Sequence, residues 1–193
     1  MAATALVTEL GTLAERVQDQ ATREDSPYRG QPILDEASRG KSFDELRELV
    51  VEMRRELADT AKTLPDGAFE AQPASPDGQP VWSAGEVVTH CNGVLMSFTE
   101  RAAAMMGIDP PTWTGEQAAS GEQRIIDKNA AVAAAELIDL NPWLDTIPPG
   151  VDLETSADSP ALGKVSGRVW LYFMAVHEAN HVEQLEELRA AHG

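Results

Sequence analysis

The chain has a single cysteine, Cys91, in 193 residues. That excludes an internal disulfide and any cysteine-rich zinc module, and a reducing, cytoplasmic setting is the expectation. Cationic side chains are also scarce, with 15 Lys and Arg against 32 Asp and Glu and a formal net charge of −17. Nucleic acid is bound through clustered Lys and Arg, and anionic lipid through polybasic patches. Neither nucleic acid nor a membrane is therefore an expected partner. No stretch approaches the ~20 apolar residues that span a bilayer. The opening MAATALVTELGTLAERVQDQ lacks the basic start and apolar core of a secretory signal. Histidine is rare as well: there are four, and two of them stand four residues apart.

What is present is helical periodicity. The length suits one domain able to bury roughly 70% of its unfolded surface. Leu6, Leu10, Leu13 and Val17 predict a first amphipathic helix over 4–20. Residues 23–41, rich in Pro, Gly and charge, read as a connector. Ser42-Phe43-Asp44-Glu45 and Ser83-Ala84-Gly85-Glu86 have the form of capping boxes. The first opens a helix with Phe43, Leu46, Leu49, Val50, Met53, Leu57 and Leu64 on one stripe, and Glu, Lys and Arg on the other face. The second opens a helix to about Met106. Further helices are predicted over 122–140, broken at Pro142, and from about Val165 to near the C-terminus. The intervening segments 65–82, 107–121 and 148–164 read as long loops, the first carrying two Pro-Asp-Gly turns. No alternating strand pattern stands out. The expectation is an all-α four-helix bundle over 42–193, with an additional N-terminal helix and connector over 1–41.

The last helix places Trp170, Phe173, His177, His181, Gln184 and Leu188 within about 40° of one another. Two imidazoles buried on one stripe need partners for their ring nitrogens. Either each finds its own hydrogen bond, or both share a divalent metal, for which neutral imidazole at i,i+4 spacing is suited. The string His177-Glu178-Ala179-Asn180-His181 also matches the HExxH of zinc peptidases. The extended pattern fails, because Gln184 and Glu187 occupy the positions that would be Gly and His. His192 lies about 16 Å further along the helix and cannot reach the same ion. The only histidine left is His90, which shares a face with Ser83, Glu86, Val87, Val94 and Ser97. Opposite His177 and His181 it would complete a three-His site with an open fourth position, the arrangement of catalytic rather than structural zinc.

Other residues near these positions have ordinary roles available. Glu86 suits its capping box better than a contact with His90, and Glu178 reads as a general base or a helix-flank residue. Cys91 reads as a packed thiol, Trp82 and Trp170 as core anchors or as walls of a pocket, and Glu183, Glu186 and Glu187 as a solvated face. No Arg or Lys falls on the inward faces near the histidines.

Taken together, Trp82-Ser83-x-x-Glu86-x-x-x-His90, Leu162-Gly163-Lys164-Val165-Ser166 before Trp170, and His177-x-x-x-His181-x-x-Gln184 resemble the DinB-like superfamily. This group includes mycothiol-dependent maleylpyruvate isomerases and bacillithiol transferases and is functionally unrelated to the DNA polymerase of similar name. The likeness covers about residues 42–190. It implies a metal-binding bundle, often homodimeric, with a divalent ion (zinc first, nickel or another as alternatives) on His90, His177 and His181. It further implies a low-molecular-weight thiol activated for S-transfer or isomerisation of a small-molecule substrate. The missing inward cation sets this chain apart, since an anionic substrate such as maleylpyruvate would want one. Two readings stand beside the thiol enzyme: a non-catalytic metal- or ligand-binding, stress-related bundle, and a small-substrate metallohydrolase.

Overall fold

The computed structural model describes residues 2–22, 30–70, 82–159 and 162–192. The second predicted Pro-Asp-Gly turn, in 71–81, and the first part of the predicted connector, 23–29, lie outside the described residues. Helix α1 spans Ala2–Thr22, α2 Gln31–Ser38 and α3 Phe43–Thr63, followed by the short α4, Gly67–Glu70. After α5, Ala84–Met106, come α6, Gly115–Ser120, α7, Lys128–Leu137, and α8, Asn141–Leu144. A hairpin of β1, Ser156–Ser159, and β2, Gly163–Ser166, leads into α9, Gly167–His192. Among the described residues the fold is all-α apart from this hairpin, and no described helix is long and apolar enough to cross a membrane.

Both predicted capping boxes form. Ser42 and Glu45 close the start of α3, and Ser83 and Glu86 that of α5. The differences from the sequence reading lie between the long helices. Within the predicted connector, Pro32 sits in the first turn of α2, where its missing N–H costs nothing, and Leu34 is buried. The predicted loop before residue 121 contains α6, opened by a third box, Thr114 with Gln117. The helix predicted over 122–140 starts only at Lys128, capped by Asp127, and ends at Leu137. Val165 is in a strand rather than a helix: β1 and β2 are antiparallel, with Ser156 opposite Ser166 and Ser159 opposite Gly163. Four-residue strands this polar carry no usable period.

Helices α3, α9, α5 and α7 pack in that cyclic order, so α3 faces α5 across the core. The interior is lined by Leu46, Val50, Met53 and Leu57 from α3, Val88 and Leu95 from α5, and Leu171 and Met174 from α9. Alanines 131, 134 and 135 let α7 come close. At Gly85 a Cβ would stand 1.6 Å from the Ile125 carbonyl oxygen, so glycine there permits the 121–125 segment to rest on α5. Helix α1 lies along α9 of the same chain, burying Val7, Leu10, Leu13, Ala14 and Val17. With α1 on one side and α3 and α5 on the other, α9 is covered nearly all round. Arg168, at its start, reaches Glu154 (2.8 Å), Ser38 (2.8 Å) and Asp35 (3.2 Å), fastening α2 to α9.

Candidate metal centre

The seam between α5 and α9 brings His90, His177 and His181 together, with one ring nitrogen from each within 4.8 Å of the others. The capping box at Ser83 fixes where α5 begins, and His90 follows two turns later on the side turned to α9. The Nε2 atoms of His90 and His177 are 3.2 Å apart. Two nitrogens bound at about 2.05 Å to one tetrahedral ion stand about 3.3 Å apart, so this pair already has the spacing of two ligands on one centre. Gln184 bears on the third ring. Its Oε1 lies 2.9 Å from Nδ1 of His181, and an amide oxygen can only accept, so Nδ1 carries the proton and Nε2 keeps its lone pair.

The electrostatics agree with neutral imidazoles. Burial lowers the pKa of His90, and burial together with the two neighbouring rings drives that of His177 well below the usual value. Burial brings His181 down to about 4, against the opposing effect of the hydrogen bond that its ring donates to Gln184. Free histidine titrates near 6.5, so between about 6.5 and 4 the unfolded chain binds protons that the folded chain refuses. Stability is therefore complete above about pH 6.5 and falls as the pH drops toward 4. For buried His181 alone the loss is about 3 kcal/mol. Urea titrations of metal-free protein between pH 7 and pH 4.5 should show this slope, and His181→Leu should make it shallower while leaving the share of His177 and His90.

Aromatic rings close both sides. Phe98 and Phe173 meet His177 at 5.4 and 6.2 Å between centroids, and buried Trp170 donates its indole N–H to the Phe98 carbonyl at 2.7 Å. Trp82 lies 4.6 Å from His90 and stacks on His181 at 6.1 Å. It is 37% exposed, so of its two sequence readings it takes the pocket wall and not the core anchor. Beyond it a groove of about 460 Å³ runs alongside His181. Glu15 and Gln18 of α1 form one wall, and Asn180, Glu183 and Glu187 of α9 the other. No lysine or arginine lines it.

Glu178 differs from both of its sequence readings. It is fully buried and paired with Arg54 of α3, Nη1 to Oε2 at 3.1 Å. The position 100° from His177 turns toward α3, alongside buried Met174 and Leu185, and falls in the core, not on a flank. Burial pushes its carboxyl up while Arg54 pulls it back. It groups with His177 and Cys91, not with the three imidazoles. Cys91 is buried, and its thiol is raised well above the ordinary value by that burial and by Glu178. It is a packed thiol rather than a nucleophile.

Arg54 and the α1 wall are what the sequence reading missed. Arg54 carries a signal: it falls within about 40° of Val50 and 60° of Leu57, on the apolar stripe of α3. The α1 wall carries none, since nothing in its sequence says which surface it covers.

Residues 49–185 match the DinB superfamily. No curated protein and no solved structure matches the chain.

Proposed function

Because the chain belongs to the DinB superfamily, we propose that it is a metal-dependent, thiol-using S-transferase or isomerase of a small molecule, with His90, His177 and His181 holding one divalent ion, zinc first. The observation that carries the metal reading is the 3.2 Å approach of two imidazole nitrogens with the third ring's tautomer set by Gln184. Three neutral nitrogens leave a fourth position open toward the groove, as in catalytic zinc sites. A bound divalent cation makes a thiol give up its proton near neutral pH, as it does for water.

The chain's own side chains then do three things. The imidazoles present lone pairs without needing to lose protons at pH 7. The Phe98, Phe173 and Trp170 wall keeps water off one side of the site. Glu15, Glu183 and Glu187 set the charge at the mouth, and repulsion between like charges turns away polyanionic substrates. The preferred electrophile is accordingly neutral or cationic.

The test is a thiol-transfer screen of zinc-loaded protein with mycothiol, bacillithiol, glutathione and cysteine. Each thiol is offered with a neutral and a dianionic reporter electrophile. Turnover with at least one thiol, faster with the neutral reporter and abolished by stripping the metal, is the expected result. Turnover that survives loss of all three histidines would place the chemistry elsewhere. Bound metal without turnover would leave the non-catalytic binding bundle.

A further inference from the structure

Resting on the metal reading above, we infer that Arg54 and Glu178 are positioning residues for the imidazole site: Arg54 holds Glu178 so that its free carboxylate oxygen serves the outer ring nitrogen of His177. Arg54 enters from α3 and lies across the core from α5. It donates to Glu178 of α9 at 3.1 Å, to the Ala135 carbonyl of α7 at 2.9 Å, and to Asn92 Oδ1 of α5. Asn92 in turn donates to Ser120 Oγ at 3.0 Å and to the Ala134 carbonyl at 3.1 Å. One guanidinium therefore joins the residue that follows His177 to a residue two places after His90.

Two observations set this network apart from a stability device. The first concerns an unused acceptor. Glu178 Oε2 takes the Arg54 bond, whereas Oε1 is buried without a partner. A carboxylate oxygen of Glu178 lies within 4.8 Å of a ring nitrogen of His177, a separation that one bridging water spans. The second concerns the tautomer. His177 turns Nε2 toward His90, and Nε2 can offer a lone pair only if the proton sits on Nδ1. Nδ1–H then needs an acceptor, a role that the unpartnered oxygen of Glu178 can fill. This matches the general pattern in which a carboxylate orients a metal-binding imidazole. A buried ion pair is seldom needed for stability alone, because apolar residues of similar volume commonly replace it without loss.

The experiment compares wild type with Arg54→Met/Glu178→Leu, which removes both charges together. Zinc affinity is measured by chelator competition, the cobalt-loaded protein by its d–d absorption, and the metal-free protein by thermal unfolding. The expected result is an unchanged metal-free fold, zinc binding weaker by about 10- to 100-fold, and a shifted cobalt band. A folded double variant with wild-type affinity and an unaltered band would overturn the assignment. A second readout needs no variant: ¹⁵N NMR of metal-free wild type should find His177 protonated on Nδ1, and protonation on Nε2 would overturn it. That measurement decides the matter even if the double variant does not fold. Should wild type take up no ion, the metal reading fails by itself, while the tautomer still decides the role of Glu178.

Discussion

Replacing His181 by alanine should cut bound zinc from about one equivalent per chain to less than about a tenth after dialysis, measured by elemental analysis of untagged protein. His181 is the ring whose donor atom is best prepared, since Gln184 fixes its proton on Nδ1. Structural zinc sites with four ligands bind with about 10–16 kcal/mol, so one ligand accounts for on the order of 3–4 kcal/mol. A loss of that size is more than about 100-fold in affinity. His90 and His177 alone, from two different helices, make a site that dialysis empties. The fold should survive, because the core beneath the site is built from Leu171, Met174, Leu185 and their neighbours. Circular dichroism of the variant should therefore match wild type. A folded His181→Ala protein that still carries a full equivalent would remove His181 from the ligand set.

The three histidines were legible in the sequence because each physical cue for them is local. The i,i+4 spacing of His177 and His181 fixes their common face, and the Ser83–Glu86 capping box fixes the phase of His90 on α5. The long helices were legible for the same reason. What the sequence hid depends on packing. The polar linkers contain α2 and α6, each too short to display a full apolar stripe, and the hairpin strands are four residues each. Glu178 was hidden because its partner Arg54 stands on another helix, α3, and only packing brings the two together. Yet a trace of the buried network was present. Arg54, Asn92 and Glu178 each interrupt an apolar stripe, at Val50 and Leu57, at Val88 and Leu95, and at Met174 and Val182. A lone polar residue in such a stripe snorkels to solvent; three of them, on three helices, with complementary charges, can satisfy one another inside. Reading α3 as one apolar face and one charged face assigned Arg54 to the wrong side.

Arg54→Ala should be the most damaging single substitution in the chain, destabilising the metal-free protein by about 3–5 kcal/mol at pH 8. Three helices lose a shared partner at once. The carboxylate of Glu178 and the amide oxygen of Asn92 are left buried, and the Ala135 carbonyl loses its donor. The largest part of the cost is the unpaired charge on fully buried Glu178. That charge can be removed by taking up a proton, so the cost depends on pH in a definite direction. Burial already raises the Glu178 carboxyl and Arg54 opposes the shift; without Arg54 the folded-state value rises further above the unfolded value near 4.3. A raised carboxyl binds protons more readily in the folded chain, so stability declines as pH climbs from the unfolded value through the folded one. Urea denaturation should accordingly show a larger deficit for Arg54→Ala at pH 8 than at pH 5. The paired replacement Arg54→Met/Glu178→Leu should recover most of the pH 8 loss, because it leaves no charge behind. A deficit independent of pH and equal in the single and double variants would mean that the cavity left by the Arg54 side chain, not the uncompensated carboxylate, sets the cost.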